Sequence, residues 1–380
     1  MKNYILLFIF ISGSVLAQGT WTARATFAGI PREKAAGFSI GTKGYIMGGN
    51  SGGTELWEWD QSTDTWMQRA SLGVSMFWHV AFSIGTKGYV TTGSSTALWE
   101  YDPVTNLWAP KANYGGPACT GAIAFTIGNK GYVGTGSPGG NDFWEYDQAL
   151  DTWTQRLNFG GAGLYWAVGF SIGTKGYVGT GYDASANNRQ DFWEWDQGTN
   201  AWTQLANFVN MRRAAVGFAL VGKGYIGTGY DVAYLQDWVE YDPVGNTWTP
   251  VANFGGPPSC CQATFTIGNK GYVGTGFVNG NSDMFWEYSP EPTSVNELSA
   301  IQVSVFPNPV TTHATFTFSH VLMNGLLTVY DISGKKIAEE FIPEGVNTFT
   351  LERKDVPSGV YLCKIIENGK EIGLKKIVVK

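Results

Sequence analysis

The sequence predicts an all-β chain: a six-bladed β-propeller of four-stranded blades, the outer strand of the last blade coming from the N-terminus, followed by a small immunoglobulin-like β-sandwich. Three observations carry this prediction. A phrase built on Lys-Gly-Tyr occurs six times, the triplets starting at residues 43, 87, 130, 175, 223 and 270. Each period holds four short runs rich in aromatic and β-branched residues, separated by turn formers, which reads as four antiparallel strands, A to D. Tryptophan then stops abruptly, since all 16 lie before residue 290.

In chain order, Met1 to Ala17 read as a signal peptide. Lys2 precedes an apolar run from Tyr4 to Ile11, and Val15-Leu16-Ala17 supplies the small-residue cleavage end. The run is far shorter than the roughly 20 residues that span a bilayer, and no later segment is apolar enough to do so. Residues 18–290 form the propeller. Its period of 43 to 48 residues marks a stacked or radial repeat. FTIGNKGYVGTG stands unchanged at 125–136 and 265–276, with looser copies in the other four repeats. The fourth-strand tryptophan occurs at 66, 108, 153, 202 and 248 and, ahead of the first repeat, at 21, whereas the sixth repeat ends at WEYS with no fourth strand. A strand around Trp21 that completes the sixth blade closes the circle and hides its edges.

Residues 291–300 are a linker. Residues 301–380 are a different text, with no tryptophan, nearly balanced charge (nine basic and eight acidic residues) and several short strands bounded by Pro and Asn-Gly turns, which predicts the sandwich.

Charge and rare residues exclude several functions. Between residues 18 and 294, 15 basic residues stand against 22 acidic ones, a net charge of −7 that argues against a nucleic-acid partner. Four cysteines match neither a disulfide scaffold nor a zinc spacing. His79 is the single histidine of the propeller, so no histidine-rich metal site is expected. No cofactor is expected either. Gly-Phe-Ser-Ile-Gly at 37–41 and 169–173 fits a nucleophile-elbow pattern, but Ser39 and Ser171 sit in a repeated first strand instead of at a strand-to-helix turn. The acidic turns at 60–65 and 102–106 could hold calcium, although hairpin turns favour Asp and Asn for backbone reasons alone.

Variation is confined to one face. The A–B and C–D turns are nearly constant, while the B–C and D–A segments differ in every blade, the pattern of a binding surface on a fixed scaffold. The residues entering the ring include Arg32, Glu33, Trp78, His79, Tyr165, Trp166, Arg212 and Arg213, with Asp183 in the fourth B–C loop. Aromatic faces beside charged groups suit a glycan or a protein ligand. The competing readings are that the aromatics plug the channel, or that Glu33 and Asp183 serve as acid and base of a carbohydrate-active enzyme with Arg212 and Arg213 holding an acid sugar, or that the chain is a structural surface repeat. The adjacent Cys260 and Cys261 could form a vicinal disulfide in an oxidising compartment, whereas Cys119 lies across the ring and Cys363 should be buried alone. A monomer is expected.

The seven-residue spacings Trp59 to Trp66, Tyr101 to Trp108, Tyr146 to Trp153, Trp195 to Trp202 and Tyr241 to Trp248, after a Gly-containing doublet, resemble kelch repeats. The Gly-Gly doublet survives only at Gly48-Gly49, and Thr-Gly replaces it elsewhere. In the tail, Phe306-Pro307-Asn308-Pro309, Tyr330-Asp331-Ile332-Ser333-Gly334-Lys335, Ser358-Gly359-Val360-Tyr361 and Lys375-Lys376-Ile377-Val378-Val379 resemble, in order, the type A C-terminal sorting domain of type IX secretion. That resemblance implies a partner, the type IX machinery engaging residues 301–380. It also implies a location, secreted or on the outer-membrane surface of a Gram-negative bacterium.

Overall fold

The computed structural model describes residues 18–290 apart from 92, 94, 138 and 139, and residues 303–380 apart from 332–334, 354–355 and 369. The signal peptide and the linker expected above lie outside the described residues. The chain divides into two compact units, Met1–Glu291 and Pro292–Lys380. Among the described residues all regular structure is strand, and no helix is long and apolar enough to cross a membrane.

The first unit is a ring of six four-stranded antiparallel sheets. Blade 1 runs Ala36–Ile40, Lys43–Met47, Leu56–Asp60 and Thr65–Arg69 as strands A to D, and blades 2 to 5 repeat this order. Blade 6 takes strands A to C from Ala263–Ile267, Lys270–Gly274 and Phe285–Ser289, and strand D from Thr20–Ala23, with Trp21 opposite Tyr288. The closure predicted from counting tryptophans is therefore present.

The repeated phrase has a physical reason at each letter. The Phe of strand A in one blade lies over the Gly of Lys-Gly-Tyr in the next, where a Cβ would come within 2.1 to 2.5 Å of the ring at all six positions, Gly44, Gly88, Gly131, Gly176, Gly224 and Gly271. The Tyr hydroxyl donates to the Glu of strand C, as in Tyr45 to Glu58 at 2.7 Å and Tyr272 to Glu287 at 2.9 Å. In four blades the Lys pairs with the Asp that ends the same strand, as Lys87 with Asp102 at 2.6 Å and Lys223 with Asp242 at 2.7 Å, while Lys175 and Lys270 pair with the mid-strand Glu194 and Glu287. Each strand-D Trp donates its indole N–H to a carbonyl of the preceding blade, Trp21 to Ala252, Trp66 to Ala25 and so on around the circle. The acidic C–D turns belong to the same joints. Asp64, Asn106, Asp151, Asn200 and Asn246 adopt left-handed backbone and accept a backbone N–H from the neighbouring blade at 2.9 to 3.1 Å. Apolar clusters fill every gap between blades, so burial is distributed around the ring.

Among the described residues the second unit is a two-sheet sandwich of seven strands, three in one sheet and four in the other. Its core includes Phe316, Leu327, Cys363 and Ile365, all fully buried. The motif residues hold its corners. Asn308 accepts the Val378 N–H at 2.9 Å and donates to the Lys376 carbonyl, pinning the last strand, while the Tyr361 hydroxyl donates to the Pro357 carbonyl at 2.9 Å.

Candidate ligand-binding face

The D–A segments and B–C loops pair with each other on one face, as in the bridges Thr120 to Ser137, Arg213 to Tyr230 and Cys260 to Phe277 and the two-stranded ribbon Leu164–Tyr165 with Tyr182–Asp183. That ribbon lies inside segments that read as plain loops in the sequence. Beneath this face runs a central channel of about 370 Å³, lined by the first strands of all six blades. Ser171, from one of the Gly-Phe-Ser-Ile-Gly stretches, donates to the Thr126 carbonyl of the adjacent blade at 2.7 Å and so serves as an inter-blade tie.

At the channel mouth one residue from each blade, Lys34, Trp78, Gly121, Trp166, Ala214 and Cys261, adopts left-handed backbone with φ between 50° and 66°. The N–H of each donates to the carbonyl of its predecessor in the previous blade, and Lys34 donates back to Cys261, closing a ring of six bonds of 2.8 to 3.1 Å. Five of the six are not glycine. Each of those costs roughly 1 kcal/mol or more in backbone strain, which the closed ring holds in place. Gly121 is required for room as well as for conformation, because a Cβ there would lie 2.4 Å from the Trp166 indole. Across that gap the Trp78 and Trp166 rings stack at 5.0 Å and 28°.

From this pair an arc of flat groups continues around the rim. Trp166 meets Tyr165 at 4.8 Å and Tyr182 at 6.1 Å, the Arg213 guanidinium lies 4.5 Å from Tyr182 and 4.8 Å from Tyr230, and Tyr230, Tyr234 and Phe277 follow at 5.3 and 5.7 Å. Lys34 sits over the other end, its Nζ 5.5 Å from the Trp78 ring. Asn188 holds Arg213 at 2.9 Å.

The remaining sequence-expected residues are buried. Arg32 is fully buried, bonded to the Ile30, Gly48 and Gly52 carbonyls and paired with Glu55, with Phe27 against its guanidinium. Arg212 is likewise fully buried, bidentate to Asp237 at 2.6 and 2.9 Å. Asp183 accepts from the backbones of Ser185 and Asn187, which hold its carboxyl below the usual range, and pairs with Arg189. Glu33 pairs with Lys34 at 3.0 Å and accepts from Asn50 at 3.0 Å. The structure thus separates Glu33 in blade 1 from Asp183 in blade 4, each with its own partners. His79 is buried beside Gly48, with neither ring nitrogen partnered, and desolvation pushes its pKa down to about 4.

Sequence reading missed Tyr182, Tyr230, Tyr234 and Phe277. Three of them carried a usable signal: the position after the Gly of the B–C doublet is Tyr182, Tyr230 and Phe277 in blades 4 to 6, but Asn50 and Ser137 in blades 1 and 3. Aromatics at that register cluster on one side of the rim.

Residues 304–380 match the family described as the secretion system C-terminal sorting domain. No curated protein matches the chain. Among solved structures, that of YjhT superposes with a TM-score of 0.62 at 14% identity, covering 70% of this chain and 96% of that one, a likeness of fold alone. The chain is therefore a β-propeller followed by a C-terminal sorting domain, which implies export through the type IX system to the cell surface or beyond.

Proposed function

We propose that the propeller is a non-enzymatic binding or adhesion module of the kelch type, acting as a monomer, that captures a glycan or protein ligand on the face formed by its B–C and D–A loops. The observation that carries this reading is the arc from Lys34 and Trp78 through Trp166 and Arg213 to Phe277, mounted on a strained, closed backbone ring. Backbone strain gathered at one rim, in bulky residues such as Trp78 and Trp166, is characteristic of functional positions. The invariant letters of the repeat are occupied in joining blades, whereas the rim aromatics vary from blade to blade. Flat apolar rings with an adjacent cation suit a sugar face or an aromatic or acidic side chain. The carboxylates of an enzymatic reading, Glu33 and Asp183, are engaged with Lys34, Asn50, Arg189 and local backbone, which favours binding over turnover.

The test is a glycan and peptide array probed with residues 18–290, followed by turnover assays on every ligand that binds. Saturable binding without product formation supports the reading. Product formation from a bound sugar overturns it.

A further inference from the structure

We infer that Cys260 and Cys261 form a vicinal disulfide in the exported protein, a covalent modification site at the rim that is independent of what the rim binds. Their Sγ atoms lie 2.7 Å apart, and both side chains are buried in one cluster with Ala214, Trp78, Trp166, Tyr234 and Phe277. The backbone fixes this proximity from both sides. The Cys261 N–H donates to Ala214 within the six-membered ring, and Cys260 exchanges bonds with Phe277 in both directions. No other cysteine competes. Cys119 belongs to blade 3, packed against the Gly136 turn, and Cys363 is in the core of the second unit.

The compartment supplies the chemistry. The sorting domain implies passage out of the cytoplasm, where thiols meet oxidants. Two S–H bonds break and one S–S bond forms; the two protons and two electrons pass to a disulfide-bearing oxidant, which leaves as two thiols. Bridging adjacent residues strains the bond, since their Cα atoms stand only about 3.8 Å apart, below the usual disulfide range, so the product is readily reduced. In the reduced state the contact with Cys260 and burial push the Cys261 thiol well up, so Cys261 is a poor nucleophile in the folded chain.

The full chain, recovered from an oxidising compartment and equilibrated with oxidised glutathione, is denatured without reductant, alkylated, digested and weighed. The expected result is a peptide carrying Cys260 and Cys261 that is unalkylated and lighter by two hydrogens, while Cys119 and Cys363 carry the label. Label on both Cys260 and Cys261, or either of them joined to Cys119, overturns the inference. Prior reduction of the same sample must restore label to both positions, and its failure to do so would also count against the bond.

Discussion

Replacing Trp21 by alanine tests ring closure with an internal control. Trp21 lies in the only blade strand that comes from the far end of the propeller sequence, yet its surroundings match those of any other strand-D tryptophan. Its rings stand 4.9 to 5.0 Å from Trp238, Phe254 and Tyr288, and its N–H donates to the Ala252 carbonyl at 3.1 Å. Trp153, inside blade 3, has a similar set with one ring fewer: Tyr114 and Tyr146 at 5.1 Å and a bond to the Ala112 carbonyl at 2.9 Å. Truncating a well-packed Trp costs about 3 to 5 kcal/mol, and partial exposure puts both sites near the lower value. For a domain of this size that corresponds to a fall in Tm of roughly 6 to 12 °C. Thermal melts of residues 18–290, followed by near-ultraviolet circular dichroism, should show Trp21→Ala and Trp153→Ala falling by similar amounts. Deleting residues 18–28 should cost more than either, because it removes the strand and exposes the edge of blade 6. A Trp21→Ala protein that melts like the wild type while Trp153→Ala is destabilised would refute closure by the N-terminal strand.

The packing of the repeat phrase predicts that Gly176→Ala, whose Cβ would come 2.1 Å from the Phe125 ring, is destabilised by about 1 to 3 kcal/mol in denaturant unfolding. Gly173→Ala, in open space but at φ +60°, should lose only about 1 kcal/mol from backbone strain. Equal losses would mean that the Phe-over-Gly contact is not what fixes the sequence. His79 gives the pH dependence. Its folded pKa, about 4, lies below its unfolded value, so the unfolded chain binds the extra proton; this contribution is complete above about pH 6.5 and is lost as pH falls towards 4. The loss amounts to about 3 kcal/mol, and His79→Gln should flatten that part of the stability profile in melts between pH 4 and 7. An unchanged profile would place the acid sensitivity elsewhere.

What was legible in the sequence follows from what repeats. Six-fold recurrence made the strand count, the period and the missing fourth strand visible, because the repeated Gly and Tyr answer contacts that occur six times: Gly44 and its equivalents under a Phe, Tyr45 and its equivalents onto a Glu. The rim was legible only as the place where repetition fails. Trp78, Trp166 and Arg213 were recognisable by alignment with the opening Phe, but Arg32 and Arg212 share their register with exposed-looking neighbours while their guanidinium groups turn inward to Glu55 and Asp237. A one-residue step separates Arg212, buried, from Arg213, on the rim, and the alternation along an irregular segment has no period to reveal it. The backbone ring was invisible for a different reason. Left-handed conformation at Lys34, Trp78, Trp166, Ala214 and Cys261 is imposed by closure of the circle, against the local preference of each residue.

The central claim, that the aromatic arc is the ligand-binding surface, is tested most directly by titrating the best array ligand against residues 18–290 of the wild type, Trp78→Ala and Trp166→Ala, with melting checked in parallel. The account predicts that each substitution weakens binding by about 2 kcal/mol, roughly thirty-fold, while the fold is retained. Wild-type affinity in both correctly folded variants would contradict it.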